Sequence, residues 1–322
     1  MTYARIAGTG SCLPEKILTN KDLEGMMETS DEWIRERTGI KRRHVAGDDE
    51  TTSSLSLIAA QRALEMAGVK ADELDLIIVG TCTPDKIIPA TACIVQRQLG
   101  NKGAAAMDVN AACSGFLYGL DLANRYMQTG GARKALVIGA ETLSRITNWD
   151  DRTTAVLFGD GAGAAVLEAS DEPGIRATHI HSNGEFEDLL QTTGGVSLGF
   201  DASCDRDKYI KMQGNAVFKR AVATFDSMAR ETIADLEGHI DDIDWFIPHQ
   251  ANMRIITAAA KKLSMPMERV ITTVDEHANT SAASIPLALD QAVREGRIKR
   301  GETLLMAAFG AGFTWGSAML KF

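Results

Sequence analysis

The chain has 322 residues, of which 45% are hydrophobic, 24% charged and 6% aromatic, the composition of a soluble α/β protein long enough for one large or two medium domains. A formal net charge of -9 argues against a broad nucleic-acid footprint, and no apolar run reaches the ~18 residues that a membrane span needs. The five cysteines, Cys12, Cys82, Cys93, Cys113 and Cys204, lack metal-like spacing and point to a reducing cytoplasm rather than a disulfide framework.

In chain order, MTYARIAGTG starts directly as a short strand, Arg5 to Thr9, so no signal peptide is expected. Asn20 is expected to cap a short helix from Lys21 to Met27. In TSDEWIRERTGIKRRH, Thr29 to His44, Ser30 or Asp31 caps a second short helix with acids in its first turn. This segment sets Trp33 among Arg35, Arg37, Lys41, Arg42 and Arg43. A solvated charged face accounts for such a run; the functional reading is an aromatic platform for adenine beside phosphate-binding arginines. Thr51 to Met66 reads as a helix closed by Gly68, Leu74 to Thr81 as a fully buried strand, Pro84 to Pro89 as a loop, and Thr91 to Leu99 as a helix ended by Gly100.

A buried strand, Ala104 to Val109, then turns sharply through Asn110, Ala111 and Ala112 into a helix from about Ser114 to Gln128. Phe116, Leu120, Ala123 and Met127 make its apolar stripe, and Gly130 and Gly131 stop it. Cys113 sits at the joint, among small residues that let a substrate approach. The positive end of the helix macrodipole favours thiolate there, so a lowered pKa is expected, which is one way to build a nucleophile. By itself a small buried hydrophobe accounts for such a cysteine; the rest of the chain argues otherwise. Lys134 to Thr142 is another buried strand, Asp150 to Ser170 a loop, short helix and strand, and Pro173–Gly174 the best domain boundary.

The second half repeats the first. Ile243 to Gln250 is a strand like Leu74 to Thr81, followed by a helix from Met253 to Leu263. Val270 to Ser284 is read as a strand and turn in the place of MDVNAACSG. The helix Ile285 to Arg294 ends at Gly296, Glu302 to Gly312 matches Lys134 to Thr142, and a closing strand ends each half, at 161–168 and 314–322. Two duplicated α/β halves, 1–173 and 174–322, are therefore expected to face each other with their sheets sandwiched by helices. Corresponding turns then converge on one cleft.

Three local patterns are set aside. Gly159, Gly161 and Ala164 fit G-x-G-x-x-A, but they lead into a strand and a Pro–Gly stop rather than a helix. His179-x-His181 has no third ligand in register, so no metal site is expected. Asn279-Thr280-Ser281 is a formal glycosylation sequon, without consequence in a cytoplasmic chain. What remains is Cys113 in the first half, with His249 in IPHQAN and Asn279 in EHANTSAAS in the second. Alone, His249 reads as a core histidine and Asn279 as a turn former; together they occupy matching strand ends.

With TSDEWI, RTGI, AACSGF, FGDGAGAAVL, PHQAN, HANTSAAS and FGAGFTWGSA in this order, the whole chain resembles β-ketoacyl-acyl carrier protein synthase III, the family of initiating condensing enzymes of bacterial type II fatty acid synthesis in the thiolase superfamily. The resemblance implies a thiolase-like five-layer αβαβα sandwich, a Cys113–His249–Asn279 triad, an acyl-CoA primer, malonyl-acyl carrier protein as extender, and a cytoplasmic homodimer. It implies no cofactor and no metal, the CoA thioester being a substrate. Cys113 would take the acyl group, and His249 Nε2 and the Asn279 amide would donate to the enolate oxygen formed on decarboxylation. The backbone N–H groups of Cys113 and Ala311 would hold the second oxyanion; a glycine is typical of the family where this chain has Ala311.

At the cleft mouth, Trp33, Arg37, Arg152 and Asn252 are expected to bind CoA, with Trp33 on adenine and the arginines on phosphate. Leu143 and Phe158 are assigned to the acyl pocket. By resemblance Ile88 reaches across a dimer interface to the floor of the neighbour's pocket, where a large aromatic is frequent. Lys219, Arg254, Lys261 and Lys262 are the candidates for docking the acidic carrier protein. Thiolases carry a second cysteine in the C-terminal glycine loop, which FGAGFTWG lacks, and a head-to-head condensing relative would want a glutamate where TPDKIIPA offers only Asp85. The alternatives are a related condensing enzyme of specialised metabolism, separable by its product, and a non-catalytic acyl-CoA-binding protein, which would carry no acyl adduct on Cys113.

Overall fold

A computed structural model describes residues 2–234 and 239–322, and its strands form two principal sheets. The first contains β1 (Tyr3–Cys12), β2 (Leu76–Gly80), β3 (Ala105–Val109), β4 (Lys134–Thr142) and β5 (Asp160–Ser170), in the order β1-β5-β4-β2-β3. The second contains β6 (Ile175–Ser182), β7 (Trp245–Pro248), β8 (Thr303–Gly310) and β9 (Thr314–Lys321), in the order β7-β8-β9-β6. Laid over each other, β6 matches β1, β9 matches β5, β8 matches β4 and β7 matches β2. The sense of pairing agrees too. β2 is parallel to β4 as β7 is to β8, and the remaining matched pairs are antiparallel. The duplication read from the sequence is thus present in four matched strands.

One position breaks it. The strand expected from Val270 would match β3, but Val270 makes only an isolated bridge to Phe246, and the Ile271 N–H donates to Phe246 O at 2.9 Å. The cause is Gln250. Its Nε2 donates to Pro248 O (2.7 Å) and Ile271 O (3.1 Å), while its Oε1 accepts from the N–H groups of Thr273 (2.8 Å) and Val274 (3.2 Å). One buried side chain satisfies the backbone groups that a ladder would pair. The chain then coils into a helical turn, Val274–His277.

The main helices are α1 (Asp31–Thr38), α2 (Thr52–Ala67), α3 (Thr91–Leu99), α4 (Gly115–Gln128), α5 (Gly214–Ala234), α6 (Met253–Lys262) and α7 (Ser284–Arg294). α2 and α3 cover the outer face of the first sheet through Leu55, Ala59, Ala63 and Val95. α5 and α6 cover the outer face of the second through Phe225 and Ile256, against Phe246. α4 and α7 lie between the sheets, where Ile6, Phe116, Leu120, Ile285, Leu289 and Met306 share one core. The result is the five-layer αβαβα sandwich. The first sheet ends at Ser170 and the second begins at Ile175, yet the central layer draws on both halves. The stripe Phe116, Leu120, Ala123 and Met127 is buried in it.

Helix ends follow local chemistry. Thr51 and Ser54 form a reciprocal capping box at α2, and Gly68 ends the helix in the left-handed region at φ 66°. Ser30 caps α1, as expected. The short helix before it runs Asn20–Glu24 and is capped by Thr19, not by Asn20. Thr19 and Asp22 make the capping box there, so Asn20 is free for another task. Its amide donates to Asp31 Oδ1 and Ile40 O, both at 2.8 Å, and its Oδ1 accepts from the buried Arg43 guanidinium at 2.9 Å.

Candidate active site

Cys113 lies in a single 3-10 turn, Ala112–Ser114, between β3 and α4. Ala112 before it sits at φ 45°, a left-handed conformation that makes the joint tight. Gly310, at the end of β8, closes over this turn. A Cβ there would lie 2.7 Å from Cys113 N and 3.1 Å from Cys113 Cβ, a space only glycine fits. His249 follows β7, and its N–H donates to Ala307 O at 2.8 Å. The Asn279 backbone is held on both sides: its N–H donates to Leu157 O (2.9 Å) and its carbonyl accepts from Gly159 N (3.0 Å). Asn279 Oδ1 accepts from Ser281 N at 2.9 Å, which leaves the amide nitrogen as its donor end.

Cys113, His249 and Asn279 line one cavity of about 460 Å³, together with Trp33, Arg37, Asn252 and Arg254. A second cavity of about 430 Å³ is lined by Cys113, Leu143, Ile146, Phe158, Leu190 and Ile210. Cys113 belongs to both and so stands at their junction.

The electrostatics correct one expectation. The Cys113 thiol is not lowered but pushed up to about 12, chiefly by burial. A hydrogen bond with Ser281 pulls the other way, and the negative charge of Glu141 pushes further up. Desolvation of a thiolate outweighs the helix end. Burial also pushes His249 down to about 3, so the ring is neutral at neutral pH. Its Nδ1 lies 2.7 Å from Ser284 Oγ, which accepts from the Gln250 N–H at 3.3 Å. With the Ser284 hydroxyl donating to Nδ1, the ring proton lies on Nε2. His249 and Asn279 thereby offer two neutral N–H donors to one cavity, the arrangement that stabilises a developing oxyanion.

Sequence reasoning missed Ser284, Ser281 and Glu141. Glu141 had a signal, an acid in the otherwise apolar run KALVIGAET, where burial demands partners. The serines had none, because their partners come from remote segments.

The four residues assigned to CoA gather in one place. The guanidinium carbons of Arg37 and Arg152 lie 4.7 and 5.2 Å from the Trp33 ring centroid. Asn252 caps α6 and donates to Arg37 O at 3.1 Å, and Arg152 donates to Glu28 O at 2.9 Å. Leu143 and Phe158 line the second cavity, with Ala311 beside them. Ala311 is not among the residues with positive φ, which falls on Gly312 instead, so alanine there costs no backbone strain. Ile88 is 83% exposed on its loop and lines neither cavity of its own chain. Arg254 opens α6, whereas Lys261 and Lys262 lie at its other end, about 10–12 Å away along the axis at 1.5 Å per residue. Lys219 is exposed on α5.

Asp85 is occupied, accepting from Ser53 N (2.7 Å) and Ser53 Oγ (2.6 Å) at the start of α2. The segment from Gly161 to Ala164 runs as strand in β5. His179 and His181 do meet a third group, contrary to the spacing argument. Glu231 from α5 comes to them, with His181 Nε2 at 3.0 Å from its carboxylate, and one ligand atom from each residue lies within 4.8 Å of the others. The carboxylate arrives from 50 residues further on, beyond the reach of a spacing rule.

Residues 107–184 match the protein family described as 3-Oxoacyl-[acyl-carrier-protein (ACP)] synthase III, and residues 233–322 match its C-terminal counterpart. The chain is 61% identical over 322 residues to the Beta-ketoacyl-[acyl-carrier-protein] synthase III of Thioalkalivibrio sulfidiphilus, covering 100% of both chains. It is 58% identical over 320 residues to the enzyme of that name from Xanthomonas campestris, covering 99% of this chain and 98% of the other. Among solved structures, 3-oxoacyl-[acyl-carrier-protein] synthase III from Aquifex aeolicus aligns with a TM-score of 0.93 at 46% identity, covering 99% of this chain and 100% of that one. The priming β-ketosynthase from the R1128 polyketide biosynthetic pathway aligns at 0.95 and 36% identity, covering 99% and 96%. With a cysteine, a neutral histidine and an asparagine amide on one cavity, and relatives matched along their whole length, the chain belongs to the β-ketoacyl-acyl carrier protein synthase III family of condensing enzymes.

Proposed function

We propose that this chain moves the acyl group of a short acyl-CoA onto Cys113 and condenses it with malonyl-acyl carrier protein, giving a 3-oxoacyl-acyl carrier protein that initiates fatty acid synthesis. The observation that carries this reading is the place of Cys113 at the junction of two cavities, one shared with His249 and Asn279 and the other apolar. Cys113 Sγ attacks the thioester carbonyl, CoA leaves, and the acyl chain lies against Leu143 and Phe158. The Trp33–Arg37–Arg152 cluster and Asn252 receive the nucleotide end of CoA. Malonyl-acyl carrier protein then enters and loses carbon dioxide. His249 Nε2–H and the Asn279 amide hold the enolate oxygen, and its carbon attacks the acyl-Cys113 carbonyl. The N–H groups of Cys113 and Ala311 receive the second oxyanion.

We assign no cofactor and no metal to this reaction; the CoA thioester is a substrate. Five free cysteines support a cytoplasmic site of action, and no helix among the described residues is long and apolar enough to cross a membrane. A homodimer is supported by Ile87 and Ile88 at 70% and 83% exposure, with Val196, Leu198 and Phe200 also exposed, apolar surface of the kind that partners cover. The test is direct. Incubation with acetyl-CoA should add one acetyl mass to a peptide containing Cys113, and addition of malonyl-acyl carrier protein should discharge it as acetoacetyl-acyl carrier protein. Turnover without any adduct on Cys113 would remove the assignment.

A further inference from the structure

We propose that Ser281 and Glu141 form a buried path that takes the thiol proton of Cys113 during acylation. This rests on Cys113 being the acyl acceptor. The need for such a path comes from His249. With Ser284 donating to its Nδ1, the ring proton lies on Nε2, and the ring has no lone pair to offer a thiol.

Glu141, at the inner end of β4, is fully buried. Its carboxylate accepts from Thr83 Oγ1 (2.5 Å), Thr81 Oγ1 (3.2 Å), the Cys82 N–H (3.2 Å) and Ser281 Oγ (3.1 Å), and Cys82 Sγ lies 3.3 Å away. None of these partners is a cation. A buried carboxylate held by neutral donors alone is expensive, and such groups cluster where ionisation is used. Ser281 connects it to the nucleophile. It donates to Glu141 on one side and on the other lines the same cavity as Cys113, where it pulls the raised thiol pKa back down. Its backbone sits at φ 50°, a left-handed conformation that is strained for a serine and that collects at functional sites.

The proton passes from Sγ to Ser281 Oγ as the Ser281 hydroxyl proton passes to Glu141 Oε1. The group of three holds one negative charge throughout, first on Glu141 and then on Sγ. This matters because an ionised Glu141 opposes the thiolate, and burial raises both groups; moving the proton between them avoids two buried charges at once. The thiolate attacks the thioester carbon, the bond from that carbon to the CoA sulfur breaks, and the leaving sulfur takes its electron pair. The proton returns from Glu141 through Ser281 to that sulfur, so one proton moves from Cys113 to CoA. The titratable groups facing this path are Cys82 beside Glu141, whose thiol burial pushes well up, and neutral His249 across the cavity.

Single-turnover acylation by acetyl-CoA, followed by intact mass between pH 6 and 9, tests the path in wild type, Glu141→Gln, Glu141→Asp and Ser281→Ala. At pH 7 Glu141→Gln and Ser281→Ala should each acylate about 10²-fold more slowly, the lower range for loss of a positioned base. Their rates should climb tenfold per pH unit while the wild type levels off. Glu141→Asp should recover part of the rate, and a variant carrying both Glu141→Gln and Ser281→Ala should be no slower than the slower of the two single variants. A Glu141→Gln enzyme as fast as wild type or faster at pH 7 overturns the proposal, because deleting a charge that only opposes the thiolate speeds acylation. A profile parallel to wild type overturns it as well. If Glu141→Gln does not fold, Ser281→Ala carries the same test with the carboxylate in place. Absence of the adduct from the wild-type Cys113 peptide would count against the acyl-acceptor reading itself, whereas an adduct there with unchanged variants removes only the path.

Discussion

Burial moves the two titratable members of the site in opposite directions, holding the Cys113 thiol protonated and the His249 ring neutral across the working pH range. Cys113→Ser should therefore give no acyl adduct by mass spectrometry, since a hydroxyl is ionised far less than even this thiol. His249→Ala and Asn279→Ala should slow decarboxylation of malonyl-acyl carrier protein, each by about 10²- to 10³-fold, while Cys113 still acquires acyl groups from CoA; carbon dioxide release and adduct formation, followed separately, check this. Stability should also carry a pH signature. His277 is pushed down to about 4, mainly by burial, from an ordinary value near 6.5. As pH falls from 6.5 to 4 the unfolded chain binds a proton that the folded chain refuses, so stability is lost in that window. His249 acts in the same direction. Glu141 and Asp160 are pushed up by burial, so their contribution is lost as pH rises instead. The clean measurement is a difference: the Tm of His277→Gln should fall less than that of wild type between pH 6.5 and 4.5.

Among the elements, the segment around Asn279 depends on one side chain in place of a strand. Gln250 makes four hydrogen bonds to the backbone of Pro248, Ile271, Thr273 and Val274. Gln250→Leu keeps comparable bulk and removes all four. At roughly 1–3 kcal/mol for a buried group left unsatisfied, a loss of several kcal/mol is expected in denaturant unfolding. Decarboxylation should suffer more than acylation, because Asn279 lies on the affected segment and Cys113 does not. A stability change under 1 kcal/mol would show that the segment holds its shape without Gln250. Gly310 is the complementary case in the other half of the site, where a methyl group at Cα would strike the Cys113 backbone.

For the whole molecule, charge sets the problem of recognition. A chain of net charge -9 repels an acidic carrier protein unless a positive region is focused near the cleft. Arg254, on the cavity shared with Cys113 and packed over Phe218 at 5.5 Å, is the best placed for this. Lys219 is exposed on α5, while Lys261 and Lys262 extend the region to the far end of α6. Arg254→Glu should raise the apparent KM for malonyl-acyl carrier protein and leave Cys113 acylation by acyl-CoA near normal. The difference should shrink in 1 M salt, where the Debye length is about 3 Å. Equal kinetics at low salt would remove Arg254 from the docking surface.

The sequence by itself determined the duplicated halves and most of the strand and helix positions, and it singled out Cys113, His249 and Asn279, which line one cavity. Apolar periodicity, glycine stops and motif order are local, and they survive without knowledge of what packs where. Where a side chain from elsewhere competes with local preference, the sequence misled. Thr19 took the cap expected of Asn20, and Gln250 replaced the strand at Val270. Only the tertiary structure decided the ionisation of the site. A helix N-terminus suggested a low thiol pKa at Cys113, but burial and Glu141, brought in from another strand, reverse the sign. Only the fold, too, sets Ser284 against His249 and Ser281 between Cys113 and Glu141. Desolvation and hydrogen bonding depend on which remote groups share a volume, and no periodicity in the chain encodes that directly.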